Sequence, residues 1–390
     1  MINSQQFWVK PVKTLCAIIA CTAVFGVSSQ AVFAQAGDKI RGEYPRVAEL
    51  LNAFDVTQAK TFEAIARINS EPAYELTRAD LQEYLAMVKK MTISDLMSSD
   101  GVQLAMSSSG SPYFDSEVEA RISLLNAMRT MQSDEEASVA YLDNTAISSH
   151  AAEVLRRGRD FENQLFEIIL DESITNKHSA VSAAIVDYQR DERRSVTSST
   201  KESSFLTEHD QATGFETAFP RLSGLLWTQQ WFQLASLEAA ILRTMDAQFV
   251  DGMDIVLESF WNKVGTDGGM SMFPAPSELP MAPAIAPDLY TLSPEAAVIL
   301  DNLNILETVL ADILSYPNVE DRPARMDAAV ALFTNKGANG AHNADYLLFA
   351  LRGGIYNQGG PAVGQLRRSE RNRTRAAMDM VQAATYGTDR

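Results

Sequence analysis

The sequence predicts an all-α protein of one or two helical bundles with antiparallel helices, and three observations predict it. Apolar residues recur at helical spacing in nearly every segment. No stretch sustains the alternation of apolar and polar residues, rich in β-branched side chains, that a half-buried strand requires. Helix-start signals, Ser or Pro just ahead of an apolar stripe, recur along the chain.

The first 34 residues are expected to lie outside this fold. Lys10 and Lys13 precede an apolar run from Leu15 to Val27, and "SSQAVFAQA" follows with small residues at Val32, Ala34 and Ala36. A basic start, a short apolar stretch and a small-residue cleavage site define a secretory signal peptide, and the stretch is too short to span a bilayer. Cleavage is expected after Ala34 or Ala36, with a lipidated Cys21 as the rival processing route. The processed chain is then exported to the periplasm or beyond, without a transmembrane segment. It also loses Cys16 and Cys21, the two cysteines of the chain, and with them any disulfide, thiolate metal site or Cys nucleophile. Removing Lys10 and Lys13 from 33 basic residues leaves 31 against 50 acidic ones, a formal charge of −19. Such a surface repels nucleic acid. The basic cluster "RRSERNRTR", Arg367 to Arg375, reads as a solvated helix face.

The elements follow in order. "YPRVAELLNAF" aligns Val47, Leu50, Leu51 and Phe54 behind Pro45, and "TRADLQEYLAMVKKM" aligns Leu81, Leu85 and Val88. "SEVEARISLLNAMRTM" offers a capping box at Ser116 and Glu119 and a stripe of Val118, Ile122 and Leu125. Ser149 to Leu170 keeps Val154, Phe161, Leu165 and Ile168 on one face. These helices form an expected N-terminal domain, residues 35–190. A Ser/Thr-rich segment, 191–214, reads as a polar linker to a C-terminal domain, 215–390. There "FPRLSGLLWTQQWFQLASLEAAILRTM" is a strongly apolar helix with Trp227 and Trp231. Ser293 caps a helix that begins at Pro294 and carries Ile299, Leu303, Leu306, Leu310 and Ile313 in a 4-3-4-3 seam. Between them Gly265 to Tyr290 holds five prolines and is expected as surface loop.

The chemistry-bearing motifs are few. HExxH, Walker A, GxGxxG, GxSxG and EF-hand patterns are absent from the sequence. "SSTK" at Ser198 to Lys201 has the SxxK spacing but no accompanying KTG. His150 and Glu153 stand three apart at a helix start, close enough to meet. Met270, Met272 and Met281 are thioethers of the kind that bind Cu(I), or that fill apolar gaps. "NKHSAV" resembles the "NNHSYW" segment of a family of all-α periplasmic alginate lyases at Asn176, His178 and Ser179, and departs from it at the second Asn and both aromatics.

"GAHNADYLLF", Gly340 to Phe349, resembles the GxHxxE segment of imelysins, all-α exported proteins tied to iron uptake. Gly340, His342, Tyr346, Leu347 and Leu348 fit, and Asp345 replaces the Glu. The resemblance implies a metal site at His342 and Asp345, with iron or another divalent ion as cofactor. The residues alone read as a short helix: Asn339 or Asn343 caps it, Asp345 sits in the first turn, and Gly353 ends it. On that reading there is no metal and no cofactor, and Leu347 or Leu348 faces the core. The functional expectation is a binding or scaffolding protein of the periplasm or cell envelope, its partner an envelope protein or a small ligand. Imelysin-like metal binding is the alternative. A polysaccharide lyase or hydrolase is the third reading, and it requires a cleft lined by carboxylates and aromatics.

Overall fold

The computed structural model describes residues 37–91, 111–202, 209–265, 279–337 and 343–351, which all fall in one compact unit. Among them are fifteen α-helices and no strand. They are α1 (Asp38–Glu43), α2 (Pro45–Ser70), α3 (Glu75–Val88), α4 (Phe114–Met128) and α5 (Asp134–Val139). Next come α6 (Ser149–Leu170), α7 (Lys177–Tyr188), α8 (Gly214–Ala218), α9 (Pro220–Met245) and α10 (Gly252–Val264). The last are α11 (Ala282–Ile285), α12 (Pro287–Leu292), α13 (Pro294–Ser315), α14 (Arg322–Thr334) and α15 (Asn343–Ala350).

Four long helices organise the core. α2 and α6 each pack against both α9 and α13, so helices from the two sequence halves build one bundle. Phe54, Phe232 and Phe260 meet edge-to-face or tilted at its centre, with ring centroids 5.1–5.5 Å apart. Such rings contribute directional contacts as well as buried area. At Gly158 of α6 an added Cβ would lie 2.4 Å from Leu303 Cδ2, so α6 and α13 approach closely because a side chain is missing there.

The expected Ser293 cap is present: its side chain accepts from the Ala296 amide, with Pro294 at the first position. Ser116 is not a cap. α4 starts two residues earlier, at Phe114, and the Ser116 hydroxyl hydrogen-bonds Tyr74 instead. The capping box of this region is Ser133 with Glu136, at α5. Of the expected stripe α4 buries Leu125 but leaves Val118 half-buried and Ile122 exposed, while Glu117, Arg121, Leu124 and Met128 face inward. The polar pair is buried because each member satisfies a helix end. Glu117 accepts from the Arg221 and Leu222 amides that open α9, and Arg121 donates to the Val264 carbonyl that closes α10.

That device recurs. α1, α8, α9, α11 and α12 have no side-chain cap of their own. A carboxylate distant in sequence reaches each start. Glu167 of α6 accepts from Lys39 and Ile40 at 3.0 and 3.3 Å. Asp312 of α13 accepts from Phe215 at 2.8 Å, and Asp301 of the same helix from Ala282 at 2.8 Å. Glu238 of α9 accepts from Asp288 and Leu289 at 3.1 Å. The first amides of a helix lack intrahelical partners and carry partial positive charge, so an anion there answers both needs.

The segment read as a linker, 191–214, is tied to both halves in its described part. Arg157 of α6 donates to Ser195 and to the Tyr188 carbonyl, Thr197 donates to Phe333, and Asn302 donates to the Thr197 and Ser199 carbonyls. The Pro-rich segment also differs from its expectation. Residues 266–278, with Met270 and Met272, lie outside the described residues, but the rest forms α11 and α12 and is largely buried. Pro283 and Pro287 stand in the first turn of each helix, where no amide donor is needed, so proline starts these helices rather than breaking them. Met281 is buried and fills the core as the apolar reading expects.

Candidate functional site

The predicted metal pair is not seen together. His342 lies outside the described residues, and Asp345 is exposed in the first turn of α15. No group of three or more His, Cys, Asp or Glu side chains among the described residues is arranged to hold a metal. The buried residues of α15 are Tyr346 and Ala350; Leu347 is half-buried and packs against the core, and Leu348 is 74% exposed. Tyr346 turns inward because its hydroxyl finds a buried acceptor, donating to Asp301 Oδ2 at 2.5 Å. The other motifs are also dispersed. His150 Nε2 contacts the Arg193 carbonyl at 2.7 Å while Glu153 pairs with Arg194. His178 Nδ1 contacts the Leu292 carbonyl, and Asn176 caps α7. Ser198 and Lys201 are not on a helix. The Ser198 hydroxyl accepts from Gln189, and the Lys201 ammonium donates to the Asn335 carbonyl; burial lowers this amine to about 8.

Sequence reasoning missed a charged centre on the bundle axis. Each long helix contributes two polar residues three apart: Asp55 and Gln58 from α2, Arg159 and Glu162 from α6, Gln230 and Gln233 from α9, Asn304 and Glu307 from α13. An i, i+3 pair projects from one helix face, so all four pairs converge. The Arg159 guanidinium donates to Glu162 at 2.6 Å, to Glu307 at 2.7 Å and to Gln58 at 2.9 Å, and its Nε lies 3.4 Å from Asp55. The Tyr141 hydroxyl reaches Gln58 and Glu307 at 2.9 and 3.0 Å, and Gln230 and Gln233 donate to Glu307 and Glu162. Three carboxyl groups thus surround one cation. Burial pushes Asp55 well above the usual carboxylate range and raises Glu162, against the opposing pull of Arg159. Several polar atoms, among them Asp55 Oδ1, Gln58 Nε2, Glu162 Oε1 and Gln233 Oε1, make no hydrogen bond to the protein. The centre is buried among the surrounding helices.

Among the grooves that reach the surface are two lined by described residues and larger than about 400 Å³. One, of about 480 Å³, runs between the start of α6 and the end of α14, past His150 and Ser195; Lys336 and Glu192 on its rim face each other at 3.9 Å. The other, of about 550 Å³, lies between the start of α2, the end of α4 and one face of α10. Its floor is apolar: Leu50, Met128, Leu257 and Trp261. Asp254, Leu257, Glu258 and Trp261 stand at positions i, i+3, i+4 and i+7, which places them on one side of α10. Met131 stands at the edge, 73% exposed. Arg129, just past the end of α4, holds its guanidinium 5.7 Å from the centre of the Trp261 ring. Arg46 and Glu49, one helical turn apart on α2, complete the rim. Among the described residues none of the five rim charges has an ion-pair partner. The groove is backed by the core, because Phe260, the residue before Trp261 on α10, packs tilted or edge-on into the central aromatic cluster.

The fold and site together define an all-α bundle with a sealed ionic centre and an aromatic-floored surface groove. No protein-family model matches the chain, and neither a curated protein nor a solved structure does.

Proposed function

We propose that this chain is an exported binding protein of the periplasm or cell envelope, and that it takes a small amphipathic ligand in the Trp261 groove. The observation that carries the reading is the groove itself: an apolar floor from three core-anchored helices under a rim of five charges that have no ion-pair partner among the described residues. Small-molecule sites have this build, apolar surface for affinity and a few polar groups for orientation, and volumes of roughly 300–1,000 Å³. Met128 and Met131 add adaptable walls. Export rests on the composition of residues 1–34 and on the loss of both cysteines with them.

Titration with Nile red, an uncharged dye whose emission rises in apolar surroundings, tests the site. Dye emission should rise and saturate near one equivalent on the folded protein, and Trp261→Ala should remove the response without lowering the melting temperature by more than a few degrees. Dye binding that persists unchanged in Trp261→Ala would remove the groove from consideration. Trp227 and Trp231 are buried beneath Lys263, so intrinsic emission changes report mainly on Trp261.

A further inference from the structure

The distribution of charge around the Trp261 groove narrows the ligand class, on the assumption that the groove is the binding site. The α10 wall is acidic, with Asp254 and Glu258 one turn apart. The opposing wall at the end of α4 is basic, through Arg129. α2 supplies one charge of each sign, Arg46 and Glu49. Between these walls lies the floor of Leu50, Leu257 and Trp261. A wholly anionic ligand would face three carboxylates, and a wholly cationic one two arginines. A ligand carrying both charges, separated by apolar groups, meets an opposite charge at each end.

We infer that the groove binds a short zwitterionic peptide with apolar side chains, its carboxylate on Arg129, its ammonium on the Asp254–Glu258 wall, and a side chain over Trp261. Arg129 suits the first role. A guanidinium presents a fork of donors that matches a carboxylate, and its position 5.7 Å from the centre of the Trp261 ring places that fork at the groove. The acidic wall suits the second, because an ammonium is a compact charge that two carboxylates a turn apart can share. The floor selects apolar side chains by area and by the flat indole face. Charge complementarity of this kind sets orientation and excludes mismatched ligands more than it adds raw affinity.

The test uses the full processed chain and four probes: phenylalanyl-leucine, its N-acetyl form, its C-terminal amide, and the doubly blocked molecule. Binding is followed by Trp261 emission and by calorimetry. The free dipeptide is expected to bind about tenfold or more tightly than either singly blocked form, the loss reporting one charged contact. In Arg129→Gln the free dipeptide and its amide should bind alike. In the double variant Asp254→Asn with Glu258→Gln the free dipeptide and its N-acetyl form should bind alike. All these side chains are exposed on helix surfaces or helix ends, so the variants should retain the wild-type melting temperature, which is measured alongside. Equal binding of all four probes would overturn the zwitterion inference while leaving the groove in place as an apolar site. Tighter binding of a singly blocked form would overturn it in favour of a ligand of one charge. Absence of binding by all four, with the dye still captured at Trp261, would reject the peptide class alone. Absence of dye and peptide binding together would reject the groove.

Discussion

Replacing Arg159 by Met tests the ionic centre most directly. The side chains are similar in length, so packing is largely kept, but three buried carboxyl groups lose their cation: Glu162 at 2.6 Å, Glu307 at 2.7 Å and Asp55 at 3.4 Å. Removing one partner from a buried ion pair costs about 3–5 kcal/mol, because the remaining charge is left desolvated. The cost should depend on pH, and the sign follows from the protons. Asp55 and Glu162 already have raised values in the folded protein. The folded state therefore binds more protons than the unfolded one between the ordinary carboxylate value, about 4, and the raised value, so stability falls as pH rises through that window. Without Arg159 the raised values move higher and the window widens. Urea unfolding of wild type and Arg159→Met at about pH 5 and about pH 8 should show a small cost in acid and one of about 3–5 kcal/mol in base. The matched control is Arg156→Met, whose partner Asp160 lies 2.6 Å away on the same helix with both groups partly exposed. That change should cost about 0.5 kcal/mol or less. A loss below about 1 kcal/mol for Arg159→Met at both pH values, or a larger loss in acid, would refute the reasoning.

Further outcomes are expected elsewhere. Glu238 and Asp301, raised by burial to about 8 and about 7, should make the melting temperature fall as pH rises from about 5 to about 9, and Glu238→Gln should flatten that fall. Gly158→Val should destabilise by about 1–3 kcal/mol in chemical denaturation, since its side chain would enter space held by Leu303. Tyr346→Phe should cost about 1–3 kcal/mol by leaving Asp301 short of a donor, whereas Leu348→Ala should change stability by about 0.5 kcal/mol or less.

The all-α fold was legible because its signal is local: Leu303, Leu306 and Leu310 announce a buried helix face from spacing alone, and all three are buried. What escaped was polar. Glu117 and Arg121 lie on the buried face of α4, yet in the sequence they read as solvent-facing, since their partners are 100 or more residues away. The ionic centre did leave a trace. "QQWFQ" in α9 and "NILE" in α13 place Gln, Asn and Glu three apart inside otherwise apolar helices, a pattern that requires partners across the bundle. The Trp261 groove left none, because residues 46–50, 128–131 and 254–261 become neighbours only in the fold. The expected site at His342 and Asp345 rested on ten residues of local likeness. Within its described part, a short helix with Asp345 in the first turn accounts for the pattern.

The borrowed helix starts bear on how the chain folds. α1 receives its anion from a residue about 128 positions away, and α9 from one 104 positions away. α8 receives its own across 97 positions. α1 and α8 are short, and short helices are marginal in water by themselves; neither has the local cap that would help it nucleate. They gain their stabilising contact only after α6 and α13 have reached their places. Chain closure over such separations slows folding, and it makes the peripheral helices late to form and early to fray. A nascent chain that has emerged only to residue 200 holds Glu117 with no helix start to receive it, since Arg221 and Leu222 have yet to follow. Burial of that carboxylate with its hydrogen bonds met must wait for the second half of the chain.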